Sequence, residues 1–139
     1  MNREQLKEIY LKYNLDEDDI FILKFGNKKQ PIIRRNGIEK IQNILGIQIK
    51  YEIQKISDDH KHVVILATGV IFDDKHGGPT PKPKHLVCSF GECSPLNNNN
   101  NYPIAIAEKR AKSRVVLQCS GLYELGIYSE DESEDFIKK

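Results

Sequence analysis

At Gly46 the hydrophobic period of the chain changes. Before it, Ile38, Ile41, Ile44 and Leu45 recur at the spacing of one helical face. After it, Ile47, Ile49, Tyr51 and Ile53 alternate with Gln48, Lys50, Glu52 and Gln54, the pattern of a strand buried on one side. Asn36 with Glu39 three residues on resembles a capping box, and Gly46 suits the left-handed position that closes a helix. A helix at 36–45 therefore runs straight into a strand, which excludes an all-helical bundle and an all-β sandwich alike.

The strand order that follows is legible from parity and punctuation. Asp58-Asp59 supply a turn, and residues 62–72 are apolar on both parities: Val63, Ile65 and Ile71 against Val64, Leu66, Val70 and Phe72. Such a strand is expected mid-sheet or covered on both faces. Residues 73–84 hold Gly77, Gly78, Pro79, Pro81 and Pro83 and read as a long hairpin tip. A third strand at 85–92 puts Leu86, Cys88 and Phe90 on one side. The asparagine run 97–101 is a spacer, and Pro103 opens a long helix to about Ser120. Its apolar stripe is Ile104, Ala107, Ala111, Val115 and Leu122, with Gly121 as its cap.

Upstream, Leu6, Ile9, Tyr10 and Tyr13 predict a helix at 3–13. An acidic connector, Asp16 to Asp19, leads to an extended piece at 20–25 that Gly26-Asn27 breaks, and Pro31 precedes a short strand at Ile32-Ile33. The expected fold class is α+β: an antiparallel three-stranded β-meander flanked by helices, with a helix–β–β–β–long helix core and an acidic C-terminal tail. With 139 residues, one domain at 1–125 (core 31–125) and a mobile tail at 126–139 account for the chain. The second face of the central strand is left needing a cover, for which another copy of the protein is the economical candidate.

Catalytic chemistry finds little footing. There is no glycine-rich phosphate loop, nucleophile elbow or His-Glu-x-x-His. His60, His62, His76 and His85 fall in or beside turns, and Asp58-Asp59 and Asp73-Asp74 point to opposite faces as neighbours on a strand do. His85, Cys88 and Cys93, with His76 or Cys119, could make a zinc set, but Cys88 and Cys93 have opposite parity on one strand. Free thiols, no metal, no cofactor and no enzymatic activity are the expectations. The odd count of three cysteines also argues against a disulfide framework. The longest apolar run, 63–67, is too short to cross a bilayer and the first five residues form no apolar leader, so a cytoplasmic setting without membrane contact is expected.

The net charge of +1 hides a segregation. Residues 1–121 carry +5 and residues 122–139 carry −4. Lys109, Arg110, Lys112 and Arg114 crowd two turns of the long helix, with Glu108 to offset them. Lys28, Lys29, Arg34 and Arg35 form a second basic cluster, and Lys50 and Lys55 come from the first long strand. Each cluster could be an ordinary solvated face. Were they to converge, they would line a groove that tracks a nucleic-acid backbone, with the arginines the better phosphate forks. In the tail, Glu130, Asp131, Glu132, Glu134, Asp135 and Phe136 combine acids with a terminal aromatic. This suits a solvating tail or, in a small interaction module, a segment that recruits a replication or recombination protein of a host.

The stretch Gly91-Glu92-Cys93-Ser94, a variable loop, and then 102–117 (YPIAIAEKRAKSRVVL) resembles phage single-strand annealing proteins, as does 121–132 (GLYELGIYSEDE). The layout over 31–125 is similar to the Rad-fifty-two-like superfamily, including its Sak and Erf groups. That resemblance implies a homo-oligomeric ring that binds single-stranded DNA and anneals complementary strands in recombination or repair. It also implies a groove with Lys109, Arg110, Lys112 and Arg114 on one wall and Lys28, Lys29, Arg34 and Arg35 on the other. Such a mechanism needs no catalytic residue, because phosphate contacts position a strand without reading it.

Overall fold

The computed structural model describes residues 3–73, 82–95 and 102–132. Helix α1 (Arg3–Lys12) precedes strands β1 (Ile20–Phe25) and β2 (Lys28–Ile33). Helix α2 (Arg35–Leu45) leads to strands β3 (Gln48–Ile56), β4 (Val63–Asp73) and β5 (Lys82–Cys93), and helix α3 (Pro103–Ser120) to a two-residue strand, β6 (Tyr128–Ser129). A single 3-10 turn, Glu130–Glu132, follows. The α+β class and the antiparallel meander β3-β4-β5 match expectation. The asparagine run, most of the hairpin tip, His76, Glu134, Asp135 and Phe136 lie outside the described residues.

Alternation decides how the meander packs. The register aligns Tyr51 with Ala67 and Ser89, and pairs Ile65 with Gly91 and Val63 with Cys93, so these residues share one face. Helix α3 lies across that face and buries Ala107, Ala111 and Val115 against Val63, Ile65 and Ala67. Two glycines let it sit close. A Cβ on Gly91 would stand 2.0 Å from the Ala107 carbonyl oxygen and 2.4 Å from the Ala111 nitrogen, and one on Gly69 would stand 2.3 Å from Val115 Cγ1. The opposite face carries Val64, Leu66 and Val70, half-buried, and Leu86 and Phe90, which are 56% and 51% exposed.

A second sheet, ordered β1-β2-β6, was not expected. Strands β1 and β2 form a hairpin around Gly26-Asn27, in which Gly26 has φ +59°, and Lys28 and Lys29 open β2. Pro31 is tolerated because β6 pairs only with Ile32 and Ile33, leaving Pro31 a partner strand on one side. Residues 127–132, within the expected tail, pack on the body. Ile127 is fully buried, Tyr128 packs edge-on against Tyr123 with ring centroids 5.0 Å apart, and the acidic turn docks on the body. Ile104 departs from the expected stripe: it is 42% exposed at the start of α3.

Two caps differ from the sequence pattern. Asn36 lies inside α2; the N-cap is Arg34, with no side-chain cap bond, and Glu39 is paired with Lys112 instead. Gly46 and Gly121 do close their helices, at φ 67° and 78°. Beside the start of α2, Asp19 is buried, with Oδ2 2.6 Å from Lys40 Nζ and 2.9 Å from the Asp16 amide that donates to it. Burial alone would raise its pKa, but the Lys40 and Asp16 hydrogen bonds outweigh it and hold Asp19 below the ordinary value.

A depressed carboxylate contributes stability that is present above its unfolded pKa, about 3.9, and lost as pH falls through the folded value. Urea unfolding below about pH 4 should therefore show a shallower acid loss in Lys40→Met than in the native chain. Superimposable acid limbs would show that this pair contributes nothing.

Candidate functional site

Helices α2 and α3 meet across a cleft of about 220 Å³ lined by Arg35, Ile38 and Glu39 from α2, Glu108, Lys109, Lys112 and Ser113 from α3, and Asp131 from the acidic turn. A second cleft, of about 370 Å³, is lined by Asp18, Arg34, Arg35, Asn36 and Glu130. Arg35 lines both, so the two clefts adjoin at the N-terminus of α2. The fold thus joins parts of the two basic clusters. Arg34 and Arg35 come from the β2–α2 junction and Lys109 and Lys112 from α3, more than 70 residues later.

The surface is not a bare cationic groove. Lys112 is paired with Glu39. The Arg34 guanidinium sits 4.8 Å from the Phe21 ring centroid. The Arg35 amide donates to Glu130 Oε1 at 2.9 Å, the contact through which an acid stabilises a helix N-terminus. Ser113 Oγ lies 3.1 Å from Asp131 Oδ2. On the α3-side face of β3, burial first, then Glu108 and Glu39, push the Tyr51 phenol up to about 12, so it stays a neutral donor. Counted together, the two clefts hold four cationic side chains and five carboxylates.

Arg110 and Arg114 go elsewhere. They reach over the outer edge of β5, where Arg110 donates to the Glu92 carbonyl at 2.8 Å and Arg114 to the Phe90 carbonyl at 2.7 Å. Arg114 also donates to both Glu92 carboxylate oxygens, at 3.0 and 3.1 Å, and through Nε to Glu132 at 2.6 Å. Burial works against its charge, yet the two carboxylates hold its pKa above the ordinary arginine value. Glu92 is held below the ordinary range, first by the Arg114 hydrogen bonds. Arg114 is thus tied into the fold on three sides, a position that parity along the helix could not distinguish from a phosphate fork.

The remaining basic residues do not join the cleft. Lys28 and Lys29 lie at the turn end of the β1–β2 hairpin, a strand length of about 20 Å from the α2 end. Lys50 and Lys55 pair with Thr68 and Val64 and so share the sheet face away from α3, Lys50 being 3.6 Å from Glu52. Cys88 is exposed on that same face, whereas Cys93 is buried under α3. Among the described residues, no group of three His, Cys, Asp or Glu side chains is placed to hold a metal ion, and no helix is long and apolar enough to cross a membrane.

Sequence reasoning missed Ser113 and the partnership of Glu130, Asp131 and Glu132 with the body. The signal available was the apolar pair Ile127-Tyr128 just before the acids, which a solvated tail would not need. No protein-family profile matches the chain, and no curated protein sequence matches it.

Proposed function

We propose that the chain binds the phosphate backbone of single-stranded nucleic acid across the α2–α3 surface and, as a homo-oligomer, promotes annealing of complementary strands. One observation carries this reading: Arg35 shares one cleft with Lys109 and Lys112 and the adjoining cleft with Arg34. Cations from distant segments around a helix N-terminus suit phosphates, and phosphate contacts position a strand without reading its bases. The exposed apolar face of β4 and β5, with Leu86 and Phe90, supports self-association. Recombination or repair is the process to which such an activity belongs.

Titration of a labelled thymidine oligonucleotide across a salt series tests the reading. With three or four phosphates neutralised per protomer, log K should fall against log salt with a slope of about −2 to −3. Arg35→Ala with Lys109→Ala should weaken binding and make that slope shallower by about 1.4. Binding indifferent to salt, or no binding at low salt by either the native chain or Glu130→Gln with Asp131→Asn, would remove the proposal. The mass of the particle with and without oligonucleotide checks the oligomer.

A further inference from the structure

The Glu130–Glu132 turn occupies the surface that a phosphate backbone would need. Its three side chains make three different anchoring contacts: Glu130 with the Arg35 amide, Asp131 with Ser113 and Glu132 with Arg114. Glu132 is the structural one, being 9% exposed and also 3.4 Å from the Tyr123 hydroxyl. Glu130 is exposed and Asp131 half-buried. The segment is held at this spot by buried Ile127 and by the pairing of Tyr128 and Ser129 with Ile32 and Ile33.

The electrostatic consequence follows from the lining residues. With the turn docked, four cations face five carboxylates, and an incoming polyanion meets no net attraction. Without Glu130 and Asp131 the balance is four against three, and the Arg35 amide and the Ser113 hydroxyl are both released as donors. A carboxylate at a helix N-terminus and one on a serine hydroxyl take the positions that phosphate oxygens take in anion sites.

We propose that Glu130 and Asp131 act as an internal phosphate mimic: the docked turn closes the nucleic-acid surface, and a single strand binds by displacing these two carboxylates while Glu132 keeps the segment tethered. This rests on the nucleic-acid reading above. Binding then draws on the fraction of molecules with the turn displaced. If the turn is docked about nine-tenths of the time, apparent affinity is lowered about tenfold. The device would set a threshold, rejecting short or sparse anions and admitting a strand with enough phosphates to compete.

The test compares three full-length proteins binding the same labelled thymidine oligonucleotide: the native chain, Glu130→Gln with Asp131→Asn, and a control, Glu52→Gln with Asp58→Asn. The amides of the cleft variant can still accept from the Arg35 amide and Ser113, so the charge goes while the hydrogen bonds stay. The control removes the same charge from the sheet face away from α3 and from the β3–β4 turn. The cleft variant should bind about tenfold more tightly than the native chain, with the control within about twofold. A native chain that fails to bind while the cleft variant binds supports the mimic equally.

Equal tightening in both variants would reduce the effect to general repulsion and overturn the mimic. A cleft variant that binds no better than a binding native chain would overturn it too, leaving the nucleic-acid reading intact. If none of the three binds, the nucleic-acid reading fails and the mimic falls with it. Thermal melting of each protein verifies folding; should the double variant not fold, Glu130→Gln and Asp131→Asn are compared singly under the same criteria.

Discussion

Gly91→Ala should destabilise the chain by about 3 kcal/mol, the upper range for forcing extra atoms into a packed interior. For a protein of this size that is a fall in melting temperature of about 10 °C. The new methyl would meet backbone, the Ala107 carbonyl oxygen and the Ala111 nitrogen, so α3 must lift from β5 as a body. Adding Ala111→Gly should not rescue it, because that removes only the 2.9 Å contact with the Ala111 side chain. Gly69→Ala provides the contrast. Its nearest obstacle is a side-chain atom, Val115 Cγ1, so Val115→Ala in the same chain should recover part of the loss. Calorimetry on the four variants checks both statements, and a Gly91→Ala protein melting within about 2 °C of the native chain would contradict them.

Arg114→Ala is the second large effect, and it is on stability first. Removing the guanidinium leaves Glu132 buried with no cation and frees Glu92 beside it, at a cost of about 3 kcal/mol. Glu132→Gln in the Arg114→Ala background should recover some of this, with a coupling of about 1–2 kcal/mol in the double-mutant cycle. Urea midpoints at neutral pH measure it. A loss below about 1 kcal/mol would mean that Arg114 is dispensable to the fold and available to a ligand. Loss of nucleic-acid binding in this variant would therefore not by itself assign Arg114 to the interface. Arg35 and Lys109 are the better probes, since neither side chain is tied to β5.

Much of this architecture is written in local pattern. The change of period at Gly46, the two-sided apolar strand 63–72 and the Pro103 and Gly121 ends of α3 each depend on a few neighbouring residues, and each recurs in the structure. The β1-β2-β6 sheet was less legible because its evident disruptors are neutralised by distant partners: Pro31 by the shortness of β6, and the acidic context of Tyr128 by burial of Ile127. The cap of α2 shows the same limit, since its donor, Arg35, and its acceptor, Glu130, are 95 residues apart. For the site, charge identity was legible and partnership was not. Arg110 and Lys109 are sequence neighbours, yet one reaches over β5 and the other into the cleft, as the 100° step of a helix requires.

The two arginines laid over β5 also bear on how copies of this chain can join. Edge strands invite another chain to continue their ladder, and an uncovered edge is a route to uncontrolled aggregation. Here the outward carbonyls of Phe90 and Glu92 already accept from guanidinium groups, so an incoming strand would have to evict two charged side chains to pair there. Any growth of the sheet by strand addition would therefore meet this obstacle at the Phe90–Glu92 end of β5 and not along β3.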